Sequence, residues 1–348
     1  MVQQIEIVTF LELVKELSVI DVRSPGEFEK GHIPGAVNIP LFTNEERAHV
    51  GTVYKKESKE KAIEVGYKYV SPKLNDFIAE SQKVAPRGDV IVHCWRGGMR
   101  SKAFANHLAE NGFNNVFIIE GGYKAFRRFA LVSFAVDAII CVVGGYTGSG
   151  KTHILNCLNE MGEQIIDLEG LANHKGSAFG GIENKKQPTV EQFENNLFWN
   201  WKELDYSKTI WVEDESHRIG NVNIPMTFYT NMRSKPLIFI QIPKQERIKH
   251  LVDEYASYPK NELIGSIERI TKRLGGNDTQ IAIQCVWENN FAEVADLMLS
   301  YYDKYYLRGL NNRSNQNNIF TLKSDSVNHK QNSEKIKEYY NAISKRRD

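Results

Sequence analysis

The stretch Ala138-Ile-Ile-Cys-Val-Val-Gly-Gly-Tyr-Thr-Gly-Ser-Gly-Lys151-Thr152 decides the fold of the second half of this chain. Ala138 to Val143 run without a polar interruption, as in a strand buried on both faces of a parallel sheet. Gly145-Tyr146-Thr147-Gly148-Ser149-Gly150-Lys151-Thr152 then fits the phosphate-loop pattern G-x-x-x-x-G-K-[ST]. A glycine-rich turn lets successive backbone N–H groups face one anion. Lys151 neutralises a terminal phosphate, and Thr152 is placed to ligate Mg²⁺. The motif specifies a diphosphate or a triphosphate, and neither hydrolysis nor a nucleotide.

Working outward, Gln164–Asp167, Thr209–Val212 and Pro236–Ile242 read as further strands, with helical patterns over 188–204 and 245–274. The Thr209–Val212 strand runs into Glu213-Asp214-Glu215, one of which is expected to hold the metal, directly or through water. Upstream, Ser18–Val22, Ala36–Ile39, Asp89–His93 and Asn115–Ile119 read as strands, and Ser101–Asn111 as a helix stopped by Gly112. The fold class is therefore α/β: a parallel-sheet N-terminal domain followed by a P-loop NTPase-like domain. The expected division is residues 1–130, 131–275 and a mainly helical C-terminal extension, 276–348.

A second anion loop lies in the first domain. His93-Cys94-Trp95-Arg96-Gly97-Gly98-Met99-Arg100-Ser101 follows a strand and opens a helix. Gly97 and Gly98 let the loop curl so that the N–H groups of Trp95 to Arg100 point inward, and Arg96 and Arg100 add charge. The same field stabilises a thiolate, which makes Cys94 the candidate catalytic nucleophile.

Composition sets the limits. The 348 residues carry 44 Lys+Arg against 43 Asp+Glu, with 41% hydrophobic and 25% charged residues. That excludes disordered, collagen-like and coiled-coil chains, and no global basicity announces nucleic acid. Cys94, Cys141, Cys157 and Cys285 form no CxxC pair, which disfavours zinc knuckles and thioredoxin-type redox chemistry. The N-terminus lacks a basic start and an apolar core, and the longest apolar run, Phe129–Gly145, carries Asp137 and falls short of the ~20 residues of a bilayer span. A cytoplasmic protein without membrane contact is expected. Residues 301–348 hold ten Lys/Arg against five Asp/Glu and read as a solvated tail helix, or, more sharply, as a polyanion contact.

Asp21-Val-Arg23, Glu27-Phe28, Gly31-His-Ile-Pro-Gly-Ala-Val-Asn-Ile-Pro40, the Cys94 loop and Ile119-Glu-Gly-Gly-Tyr123 resemble the rhodanese domain over residues 5–130. The loop from Cys94 to Arg100 is one residue longer than in common rhodaneses. Phosphatases related to the rhodaneses share the longer loop, so sulfur transfer, selenium transfer and phosphatase chemistry all fit it, the last with a small-molecule kinase attached. A rhodanese-like domain followed by a P-loop domain resembles the tRNA 2-selenouridine synthase family. Asp167-Leu-Glu-Gly-Leu-Ala-Asn-His-Lys-Gly-Ser-Ala-Phe-Gly180 and Glu213-Asp-Glu-Ser-His-Arg-Ile-Gly220 resemble two of its hallmark stretches, with His217 where arginine is more usual.

That resemblance implies an enzyme acting on 2-thiouridine at the wobble position of tRNA. It implies geranylation of the sulfur from geranyl diphosphate, then replacement of geranylthio by selenium from selenophosphate. The P-loop would hold the prenyl donor's diphosphate with Mg²⁺, and Cys94 would carry selenium as a perselenide or assist its delivery. No tightly bound cofactor is implied. The partners implied are a tRNA anticodon stem-loop and selenophosphate synthase. Basic residues for tRNA are Arg127, Arg128, Lys175 and Arg218, with Lys185, Lys186, Arg233, Lys272 and Arg273 as further candidates. Phe179, Phe193, Phe198, Trp199 and Trp201 fit a prenyl slot, although ordinary helix core is the favoured reading. Tyr146 must leave the loop and is placed to cover a base or a prenyl group.

Overall fold

The computed structural model describes residues 1–177, 179, 186–313 and 315–345. The chain forms two compact units, Met1–Ser133 and Phe134–Asp348, with Glu194–Asn196 grouped with the first.

In the first unit the strands are β1 (Val2–Ile5), β2 (Ser18–Asp21), β3 (Val37–Asn38), β4 (Asp89–His93) and β5 (Asn115–Ile119). They form one parallel sheet in the order β1-β5-β4-β2-β3. Central β4 is buried from Val90 onward, which is why its sequence is apolar on both faces. The edge strand β1, with exposed Gln3 and Gln4, carries too little apolar signal to be read from sequence. The Met99–Glu110 helix packs Phe104, Ala105 and Leu108 into the core and starts where the Cys94 loop ends.

The resemblance segment at residues 21–40 has a structural cause. Asp21 and Arg23 are both fully buried and pair at 2.6 Å. The Arg23 guanidinium also donates to the Gly31 carbonyl at 2.8 Å and lies 3.8 Å from the centre of the Tyr123 ring. A buried pair of this kind tolerates loss of neither partner, because the survivor stays charged in a dry site.

In the second unit the strands are β6 (Ile140–Gly145), β7 (Gln164–Ile166), β8 (Ile210–Glu213), β9 (Arg218–Ile219), β10 (Val222–Asn223), β11 (Leu237–Gln241) and β12 (Ile319–Lys323). The main sheet is parallel, in the order β12-β11-β6-β8-β7, and β9 and β10 form a small antiparallel ribbon. The helical pattern at 245–274 is three helices, Lys244–Tyr255, Lys260–Arg269 and Thr271–Leu274. Pro259 ends the continuity, since it cannot donate to the preceding turn. With Gly276–Trp287 and Phe291–Asn311 these helices bury a core of their own around Leu263, Ile267, Val286 and Met298.

Residues 276–348, expected as a mainly helical extension, are not helical alone: β12 pairs with β11 from Leu237↔Ile319 to Gln241↔Lys323 and completes the P-loop sheet. Nor is the terminal helix, His329–Ser344, merely solvated. It buries Ile336 and Tyr340 beside Ile154, Leu158 and Trp211. Five residues of strand behind an Asn-rich segment give little local signal, and only the open edge of β11 makes them a strand.

Among the described residues no helix is long and apolar enough to cross a membrane.

Candidate active site

The Cys94 loop is a cup braced from behind. Cys94 is 3% exposed, and the Ser101 hydroxyl lies 3.3 Å from its Sγ. Gly97 takes φ +62° and Gly122 φ +58°, the left-handed region that glycine enters without strain. A side chain at Gly97 would strike the Ile119 carbonyl, and one at Gly122 would strike the Cys94 carbonyl. The N–H groups of Tyr123 and Lys124 donate to the carbonyls of Cys94 and Trp95, each at 3.0 Å. The Gly-Gly-Tyr segment after β5 therefore holds the curl of the loop.

Trp95 packs on Tyr123 with ring centres 5.7 Å apart, Gly98 precedes the helix, and Arg96 and Met99 face solvent. Arg100 is drawn to Glu27 at 2.9 Å, a carboxylate that also caps its own helix through Ser24. Burial pushes the Cys94 thiol up, but the Ser101 hydroxyl, the Arg100 guanidinium and the N–H groups of Arg96 and Ser101 together hold it below its ordinary value. The pH at which alkylation of Cys94 by iodoacetamide reaches half its limiting rate is therefore expected to rise in Arg100→Ala, and an unchanged midpoint in that variant would remove the activated-thiolate reading.

The second loop connects β6 to the Lys151–Glu160 helix. Gly148 and Gly150 take φ +78° and +72°. Ser149 is buried, and its hydroxyl donates to the Tyr146 carbonyl at 2.6 Å. Lys151 lies 3.8 Å from Glu215. Burial works against its charge, but Glu215, Glu169, Glu213 and Asp214 outweigh that and raise its pKa. The Thr152 hydroxyl donates to Glu169 at 2.7 Å and lies 3.4 Å from Glu213. Glu213 also accepts the Glu169 N–H at 2.8 Å.

Burial and mutual repulsion push Glu169 and Glu213 up, and Glu215 up to about 8. Carboxylate is in surplus around one lysine, a condition that a divalent cation relieves. The hard-oxygen set of Thr152 and Glu169 fits Mg²⁺, which keeps several waters and takes few protein ligands. Among the described residues no group of three or more acidic, His or Cys side chains could hold a metal ion by itself.

The three acidic candidates after β8 separate in role. Glu213 and Glu215 face the loop, whereas Asp214 pairs with Arg313 at 2.8 Å and accepts the Tyr306 hydroxyl at 2.9 Å. Tyr306 in turn accepts the Gly145 N–H at 3.0 Å. Arg247 donates to the Thr147 carbonyl at 3.1 Å and pairs with Asp303 at 2.8 Å. Glu169, Arg247 and Tyr306 were missed as site residues. Only Glu169 carries a sequence signal, standing within a hallmark stretch three residues beyond β7's end.

The loop opens on a cavity of about 900 Å³ within the second unit. One part of its wall is polar, with Lys151, Thr152, Glu169 and Glu215. Another is apolar, formed by Phe179, Leu263, Phe291, Val294 and Met298. Of the aromatic candidates for a prenyl slot, Phe179 alone lines this cavity. Phe193, Phe198 and Trp201 are fully buried core, and Trp199 lies under Lys202. Tyr146 is not among the residues that line this cavity: it packs on Phe239 and Tyr306, 5.0 and 5.8 Å between ring centres, beneath Arg247.

The basic candidates diverge as well. Arg128, Lys186, Arg218, Lys272 and Arg273 are exposed. Arg127 is engaged by Glu194 and Asn195, Lys175 by Glu254 at 2.6 Å, and Arg233 by Asp214 at 3.4 Å. Lys185 and the end of the basic tail, 346–348, lie outside the described residues.

A cysteine anion cup on one parallel sheet and a phosphate loop on another define a rhodanese-like unit joined to a P-loop unit. Residues 8–129 match the model of the rhodanese-like domain, and residues 138–338 match that of the tRNA 2-selenouridine synthase AAA domain. The tRNA 2-selenouridine synthase of Sulfurovum sp. (strain NBC37-1) is 36% identical over 324 residues, covering 83% of this chain and 87% of that protein. That of Bdellovibrio bacteriovorus is 37% identical over 295 residues, covering 82% and 73%. That of Hydrogenovibrio crunogenus is 34% identical over 332 residues, covering 84% and 89%. The chain belongs to the tRNA 2-selenouridine synthase family, and it is an enzyme.

Proposed function

We propose that this enzyme replaces sulfur by selenium in wobble 2-thiouridine of tRNA, through an S-geranyl intermediate. The observation that carries the reading is the cavity that joins the phosphate loop to an apolar wall. A prenyl diphosphate needs an anion cradle and an apolar slot in one continuous space. In the first step the thiouridine sulfur bonds to C1 of the geranyl group, the C1–O bond breaks, and diphosphate leaves with the electron pair while the uracil N3 proton is lost. Lys151 and the loop N–H groups of residues 148–152 hold the leaving diphosphate. Mg²⁺, when bound, supplies the further positive charge this step needs.

In the second step the selenium of selenophosphate attacks C2 and geranylthiolate leaves with the C–S electron pair, taking a proton to become geranylthiol; water then cleaves the Se–P bond, releasing phosphate, and N3 regains its proton. The Cys94 cup, with Arg96 and Arg100, fits the phosphoryl oxygens of selenophosphate, and Cys94 assists delivery of the selenium. Of Arg127, Arg128, Lys175 and Arg218, the exposed Arg128 and Arg218 are the candidates for the tRNA backbone. An anticodon loop presents unstacked bases, so the target base reaches a recessed site at low cost.

The test is mass analysis of tRNA nucleosides. Purified protein is incubated with thiouridine-bearing tRNA and geranyl diphosphate, and selenophosphate is then added. Geranylated thiouridine that converts to selenouridine supports the reading. An unchanged nucleoside, from folded protein with every substrate present, overturns it.

A further inference from the structure

The rim of the cavity carries a stripe of rings and cations. Among the described residues, Tyr305 and Met226 are the exposed large apolar side chains that line the cavity. Tyr305 is 45% exposed and stands on the Phe291–Asn311 helix. Tyr301, Lys304 and Arg308 share its face, at spacings of three and four residues. The ring centres of Tyr301 and Tyr305 lie 4.7 Å apart, and the Arg308 guanidinium carbon lies 5.5 Å from the centre of the Tyr305 ring. Arg273, from the Thr271–Leu274 helix, faces Tyr301. Lys304, Arg308 and Arg273 are all exposed. Asp303, the one acid between 301 and 311, is engaged by Arg247 at 2.8 Å, so the stripe itself carries positive charge only. Rings alternating with cations suit a polyanion whose repeating units have flat faces.

We propose that this stripe is a stacking platform for unpaired RNA bases beside the target uridine. A neighbouring base lies on the Tyr305 ring, and Arg308, Lys304 and Arg273 take the flanking phosphates. A nucleotide drawn into a recessed site gives up the stack with its neighbours, and an aromatic ring at the rim replaces that stack. The inference rests on the tRNA part of the reading above and names a surface that holds the substrate. It is independent of the prenyl donor and of selenium.

The experiment measures binding of the full chain, without any donor, to two RNA probes: an unmodified anticodon stem-loop and a blunt duplex with the same stem. Fluorescence anisotropy over a salt series reads both. Tyr305→Ala is expected to weaken stem-loop binding at least about fivefold, the value of one stacked base, and to leave duplex binding within about twofold. Tyr305→Phe keeps the ring and should bind the stem-loop within about twofold of wild type. Arg308→Gln should lower the slope of log affinity against log salt by about 0.7, the value of one single-strand phosphate contact. Unchanged stem-loop binding in Tyr305→Ala, or an equal loss on the duplex, overturns the platform. So does a loss that Tyr305→Phe shares, or a salt slope that Arg308→Gln leaves unchanged. Those results leave the proposed chemistry standing, because nucleoside analysis of wild type tests it separately. Wild type that binds neither RNA overturns the platform and the tRNA reading together.

Discussion

Cys94→Ala is expected to abolish selenium incorporation into tRNA while leaving S-geranylation running. The change removes one sulfur from a site that is 3% exposed, and the loop does not depend on that atom for its shape. Its curl is held by backbone bonds from Tyr123 and Lys124 and by the close approach of Gly97 and Gly122. The anion cup survives, so a loss traces to the thiolate. Selenouridine formation should fall by at least about a hundredfold, the scale seen when a nucleophile or proton-transfer group is deleted. Geranylated thiouridine should then accumulate, because the next step has stopped. Nucleoside mass analysis reads both products in one sample. Equal loss of the two activities in folded Cys94→Ala protein would contradict separate roles for the two loops.

Lys151→Ala should weaken geranyl diphosphate binding by about ten- to a hundredfold, the value of one charge-assisted hydrogen bond of ~1.5–3 kcal/mol. Lys151 is the cation facing Glu169, Glu213 and Glu215. Calorimetric titration with geranyl diphosphate, with and without Mg²⁺, measures the effect. The loss should be larger without Mg²⁺, since the metal can offset part of the missing charge. Unchanged binding in the variant would remove the P-loop from this role. A matching Lys151→Met protein retains the apolar stem and separates lost charge from lost packing.

Both loops were legible in the sequence because each is a local device. A run of apolar residues, a set of glycines at fixed offsets and a helix start lie within about fifteen residues, the span over which backbone conformation is locally encoded. The glycines at 97, 148 and 150 take the left-handed conformations that such patterns require. The partners of the loops are remote and left fainter traces. Glu27 meets Arg100 across 73 residues, and Tyr306 meets Gly145 across 161. No periodicity in either segment announces the meeting.

Aromatic composition misled for a related reason. Phe193, Phe198 and Trp201 share a helix face with the spacing that either a core or a slot would show, and burial assigns them to the core. Tyr146 had to leave the loop, as its position implied, but where it went depended on Phe239 and Arg247.

By itself, the sequence determined two parallel α/β units, the strand–loop–helix context of Cys94 and Lys151, and the residues that curl each loop. Those properties follow from backbone sterics and short-range patterning, which neighbouring residues dictate. Tertiary structure decided which acids face the phosphate loop, that Asp214 is bound to Arg313 and Tyr306 instead, and that the last strand closes the second sheet. It also placed the apolar wall of the cavity on helices far along the chain from the phosphate loop. Packing sets these outcomes: a side chain's partner depends on which free edge or unfilled volume remains once distant elements have docked.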